Sequence, residues 1–191
     1  MPIWMVLLIF ICIAVDNMVI ANMSGMKPQN AQSRSSLSLK IAIMFALFNG
    51  VMLLVGYILG YFWMSAAFGP KSVAWVNFAF ITLIGIRLLL ESIEKSPSFA
   101  ITDDGINGKF VKVSLLVSLN YMLIGFALRI TASSLSWNFF GLLFISVAAG
   151  IIGFGLGSPD SKSIASKKLE AVAGIILIVI AIYRLLTSGI F

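Results

Sequence analysis

Ile3–Met23 reads IWMVLLIFICIAVDNMVIANM, and Asp16 is the single charged residue in it. A stretch of this length matches the roughly 30 Å hydrocarbon core of a bilayer when coiled as an α-helix. A carboxylate near the middle of such a helix costs about 2.5–3.5 kcal/mol on insertion scales, so an intramembrane acid marks a functional site by default. Asn17 follows it directly and Asn22 lies further along the same segment. The stretch has no basic residue ahead of its apolar run and is interrupted by Asp16. It therefore reads as a first spanning helix and not as a cleaved signal peptide.

Outward from this segment, the whole chain carries the same signature. Of 191 residues, 60% are hydrophobic and only 10% charged, with a mean hydropathy of +1.07. Soluble domains hold about a quarter charged residues. Apolar runs recur near 3–23, 41–63, 73–90, 111–130, 137–157 and 170–189, which predicts an all-α polytopic membrane protein of six spans. Lys27–Lys40 (KPQNAQSRSSLSLK) reads as a polar loop, and Glu94–Lys112, with Pro97, Asp103, Asp104, Gly105 and Gly108, as a second polar break.

The formal charge of +6 raises nucleic acid as a partner, but the basic residues sit in short connections between apolar runs. Nine Lys or Arg (Lys27, Arg34, Lys40, Lys95, Lys109, Lys112, Lys162, Lys167, Lys168) fall after odd-numbered spans; three (Lys71, Arg129, Arg184) fall elsewhere in the connections or near the end. The positive-inside rule then puts the odd connections in the cytoplasm of a cell-membrane protein, with both termini outside. The partners are a lipid bilayer and no nucleic acid. One cysteine, Cys12, and no histidine leave nothing for an internal disulfide or for a zinc, haem or iron–sulfur centre. No cofactor is expected, and the absence of a nucleophile–base pair argues against an enzyme.

The two halves repeat. Ala14–Ala21 aligns with Ser118–Gly125, Gly56–Gly60 with Gly153–Gly157, and Ile86–Leu89 with Tyr183–Leu186; the last two share an offset of 97 residues, and the longer first connection accounts for seven more in the first. Each half holds three spans, so the second must enter from the opposite side. The expectation is two inverted three-helix repeats, 1–93 and 111–191, joined by a cytoplasmic linker at 94–110, with a site near the midplane between them. The paired glycines one turn apart let helix backbones approach closely, and they leave room for a homodimer without pointing to one.

On this pairing Asp16 and Asn120 are mates, as are Asn49 and Ser146. With Asn17 they form a set of hard oxygen donors suited to Mg, Ca, Mn or an alkali ion. Arg87 and Glu91, one turn apart at the cytoplasmic end of the third span, read as an interfacial ion pair or as a gate. Asn77, Thr82 and most of the nine methionines read as packing, although Met18 and Met122 flank the site symmetrically.

At Ala14-Val15-Asp16, Phe48-Asn49-Gly50, Gly56/Gly60, Gly85-Ile86-Arg87 with Glu91, Ser118-Leu119-Asn120, Gly153–Gly157 and Lys167-Lys168-Leu169-Glu170 the chain resembles the bacterial manganese efflux pump family, the MntP-like proteins. The resemblance implies six helices in two repeats, manganese(II) as transported substrate, and ligands at Asp16, Asn120 and Asn49. It also implies a second Asp where this chain has Asn120, and commonly Glu or Gln where it has Asn49. The Asp16-Asn17 pair is similar to the TerC-like membrane proteins, which are linked to metal export. The leading reading is a divalent-cation exporter working by alternating access. The alternatives are an exporter of another cation or small solute, and a non-transporting relative that serves as an assembly or sensor protein.

Overall fold

Within a bilayer every backbone N–H and C=O must be paired inside the protein, and the helix is the element that does this within a single segment. The structure is a computed structural model that describes residues 3–25, 31–64, 69–93, 108–131, 135–157 and 164–188. The described residues form six helices: α1 (Ile3–Gly25), α2 (Ala31–Met64), α3 (Pro70–Ile93), α4 (Gly108–Ile130), α5 (Leu135–Leu156) and α6 (Ile164–Thr187). All six are long and apolar enough to cross a membrane, and no strand occurs among the described residues. The chain is an all-α polytopic membrane protein.

Two readings of the sequence need correction. Ala31–Lys40 is not loop but the first three turns of α2. Its serines and glutamine are polar, but there is no Gly or Pro among them to stop a helix propagating. At 34 residues, α2 is about 51 Å long at 1.5 Å per residue, so its polar start extends past the hydrocarbon core. Leu37 packs back onto the buried cluster of Ile20, Ala21, Ile41, Phe45, Val117 and Phe154. Likewise, Gly108–Lys112 belongs to α4 and Lys167 and Lys168 to α6, so the linker ends before 108. Lys27, Lys95, Pro97, Asp103, Asp104, Gly105 and Lys162 lie outside the described residues.

Local chemistry sets the helix ends. Pro70 opens α3, where its missing N–H costs nothing, and the Gly69 carbonyl accepts from Val73 N–H at 3.2 Å. At the end of α5 the Gly157 N–H turns back to the Gly153 and Phe154 carbonyls. Thr131 closes α4 through its hydroxyl, which donates to the Ala127 carbonyl at 2.9 Å.

Lipid-facing and interior stripes separate cleanly on α2. Ile43, Leu47, Val51, Ile58 and Phe62 are exposed, whereas Phe45, Asn49 and Leu53 are wholly buried. Apolar residues face outward because lipid is as apolar as the core; what distinguishes the interior is small and polar side chains. Helix α1 is the most enclosed. It packs on α5 and α6, α2 on α4 and α5, and α3 on α6. The buried polar residues Asp16, Asn17, Asn49, Ser118, Asn120 and Ser146 thus come from α1, α2, α4 and α5 at the centre of the bundle.

Candidate functional site

Two polar constellations meet there. The first is built around Asp16, which is 2% exposed. Its Oδ2 accepts a hydrogen bond from Asn120 Nδ2 at 3.0 Å, while Oδ1 is buried without a partner. The Asn120 Oδ1 in turn accepts from Arg87 Nη1 at 2.9 Å. Arg87 also donates to the Leu116 carbonyl at 3.1 Å and through Nε to Glu91 Oε1 at 2.8 Å, leaving Nη2 buried and unpartnered. The charged groups that act most strongly on Asp16 are Glu91, then Arg87, then Glu170, and Glu91 is within hydrogen-bonding reach of it.

The second constellation lies beside it. Asn17 Nδ2 donates to the Tyr121 hydroxyl at 3.0 Å, and Asn17 Oδ1 is buried and unpartnered. Asn49 Nδ2 donates to Ser146 Oγ at 3.2 Å, and Asn49 Oδ1 accepts from Ser118 Oγ at 3.0 Å. The Tyr121 hydroxyl interacts with Ser146 as well as Asn17, which joins the pairs into one network. Asn49 therefore spends both ends of its amide on serines, whereas Asp16 and Asn17 each keep one oxygen that takes no donor.

Glycines bring the backbones of these helices together. A Cβ on Gly56 would fall on the Met122 carbonyl, and one on Gly153 on the Met18 carbonyl. Met18 and Met122 thus flank the site through main-chain atoms. On Gly60, a Cβ would come within 2.9 Å of the Arg129 side chain.

Among the described residues, no three His, Cys, Asp or Glu side chains gather into a ready-made metal centre. The donors are instead one fully buried carboxylate, a partly buried second one at Glu91, and amide and hydroxyl oxygens, a set that favours hard cations.

The family described as "Mntp: Putative manganese efflux pump" matches residues 31–185. The chain belongs to that family. A protein of Maridesulfovibrio salexigens named "Putative manganese efflux pump MntP" is 24% identical over 191 residues, covering 97% of this chain and 100% of the relative. Those of the same name from Oleidesulfovibrio alaskensis (24% over 185 residues, 95% and 94%) and Syntrophobacter fumaroxidans (27% over 154 residues, 77% and 80%) are similar over much of their length. No solved structure matches.

In this member of the Mntp family, the structure places every candidate in the bundle but divides them. Asp16, Asn120, Arg87 and Glu91 form one group; Asn17, Asn49 and Ser146 form the other. Tyr121 and Ser118 are polar members that sequence reasoning left without a role, although the repeat already set Tyr121 opposite Asn17. Glu170, buried at 7% exposure near the start of α6, was also left without one. Its signal was a lone acid beside an apolar run, the same signal as Asp16. Asn77 Oδ1 and Thr82 Oγ1 on α3 are buried without partners.

Proposed function

We propose that this chain exports divalent cations, manganese(II) foremost, across the cell membrane by alternating access, with Asp16 as the principal ligand. One observation carries the reading: a carboxylate enclosed in the bundle whose Oδ1 takes no donor, whose Oδ2 accepts only from an amide, and which has a second carboxylate, Glu91, within reach. Two acids held together inside a bundle cannot both stay ionised without a counter-charge, and a divalent cation at Oδ1 supplies one. Asn17 Oδ1 is the next free oxygen, and Asn120 supplies a third if its amide turns. Asn49 and Ser146 brace the helices around the ion, and Arg87 with Glu91 stands on its cytoplasmic side. The names of the relatives support manganese as substrate.

The hydrogen bonds support two inverted halves, 1–93 and 111–191. Asp16 meets Asn120 and Asn17 meets Tyr121, both 104 residues apart, and Asn49 meets Ser146, 97 apart. These are the offsets of the internal repeat, and a residue can touch its own mate only beside the axis that relates them. Both termini then lie outside the cell. Reporter fusions at each end test the orientation.

Manganese flux into vesicles carrying the purified chain, with survival of a manganese-sensitive host as a second readout, tests the activity. Asp16→Ala should abolish both. A host protected as well by Asp16→Ala as by the unmodified chain would remove Asp16 from the ligand role. No flux from the unmodified chain would favour the non-transporting alternative.

A further inference from the structure

The Asn120 amide is oriented by its neighbours. Arg87 can only donate, so it takes the amide's oxygen, and the NH2 is left to donate to Asp16. A cation arriving at Asp16 would therefore meet the hydrogens of Asn120 and not its oxygen. For Asn120 to ligate, its amide must turn over and Arg87 must let go. Arg87 has somewhere to go, because its Nε already holds Glu91 at 2.8 Å and its Nη2 is unspent. The guanidinium is also a positive charge two hydrogen bonds from Asp16, so it competes with any cation for the same acid.

We propose that Arg87 is the loading switch of the site: a tethered cation that holds Asn120 turned away from the ion and withdraws onto Glu91 when a divalent cation binds. The inference rests on the exporter reading, since it assigns Arg87 and Glu91 opposite roles around the Asp16 site. Arg87 bound to Asn120 disfavours the ion; Glu91, within reach of Asp16, favours it by its own charge and by drawing Arg87 away. A structural ion pair would behave otherwise, because losing either partner would disturb the fold in the same direction.

The test is Mn²⁺ binding to the purified full-length chain, followed by calorimetry and by the electron paramagnetic resonance of free Mn²⁺. Arg87→Gln should tighten binding at least tenfold and Glu91→Gln should weaken it at least threefold. Arg87→Lys keeps the charge but is too short to span both partners, so it should fall between Arg87→Gln and the unmodified chain; it also serves if Arg87→Gln fails to fold. Asp16→Asn separates the two layers of the argument. If Asp16→Asn abolishes binding while both Arg87 variants bind no tighter than the unmodified chain, the switch is overturned and the carrier stands. If both Arg87→Gln and Glu91→Gln weaken binding, the pair is structural and the switch is overturned. If Asp16→Asn binds as the unmodified chain does, the site itself is wrong and the switch falls with it.

Discussion

Asn120→Asp is the substitution that most directly tests where the ion sits. Asn120 Nδ2 is 3.0 Å from Asp16 Oδ2, so a carboxylate there would face the first across one hydrogen-bond length. With a divalent ion about 4 Å from the centre of the new charge, the added attraction is roughly 8 kcal/mol at an effective dielectric of about 20. Two costs oppose it. Arg87, now 2.9 Å from Asn120 Oδ1, would pair with the new acid, and withdrawing it takes back about 4 kcal/mol on the same scale. In the empty carrier the facing acids would trap a proton, whose expulsion costs about 1.4 kcal/mol for each pH unit by which it is held above ambient. Allowing one to two such units leaves about 2 kcal/mol, near thirtyfold in Kd. Binding to the purified chain should tighten by at least tenfold, and flux at saturating Mn²⁺ should fall as release slows. An unchanged or weaker Kd in a folded variant would show that the ion does not lie between helices α1 and α4.

Two further substitutions probe the scaffold. Gly56→Ala and Gly153→Ala each drive a methyl onto a main-chain carbonyl, Met122 and Met18 respectively. Each should lower the thermal midpoint in detergent, at the upper end of the roughly 1–3 kcal/mol that overpacking costs; a midpoint within a degree of the unmodified chain would refute the close approach. Tyr121→Phe removes the oxygen that accepts from Asn17. It should destabilise by about 1–3 kcal/mol for the stranded amide while changing the Mn²⁺ affinity less than threefold. A larger loss of affinity with unchanged stability would move Tyr121 into the ion's coordination.

The membrane spans were readable because composition alone decides them: long apolar runs have no soluble alternative. Asp16 was readable because it is anomalous where it stands, and Asn120 because it answers Asp16 across the repeat. The polar start of α2 was not, since serine and glutamine mark contact with water as readily in a helix beyond the bilayer as in a loop. The repeat could say that Asp16, Asn49 and their mates lie near one axis. It could not say how far apart they sit along it, and the structure separates them into adjoining networks. The reach of Arg87 to Asn120 was hidden for another reason. Its pairing with Glu91 is local, one turn on the same helix, whereas the contact with Asn120 bridges α3 and α4, which no spacing within a helix encodes.

That bridging contact has a counterpart at the far end of α4. Arg129 lies over the rings of Tyr57 and Tyr61 of α2, at 5.4 and 4.9 Å from their centroids, and donates to the Tyr57 hydroxyl at 3.4 Å. Arg87 ties the other part of α4 to α3. Both clasps join residues before the linker to residues after it: Arg129 beyond the Asp16–Asn120 pair, and Arg87 at Asn120 and, one turn earlier, at Leu116. If the halves rock about the line through the self-mated pairs, bonds between mates bend little, while the clasps that reach away from it to α2 and α3 open and close. Spin labels spanning α2–α4 near Arg129 and α3–α4 near Arg87 would then report distance changes of opposite sign on adding Mn²⁺; changes of the same sign would exclude rocking about that line. On this geometry an amide at 120 suits a carrier better than a second acid would. Asn120 can release Arg87 without leaving a bare charge behind, and an ion met there by an amide in place of another acid can still depart.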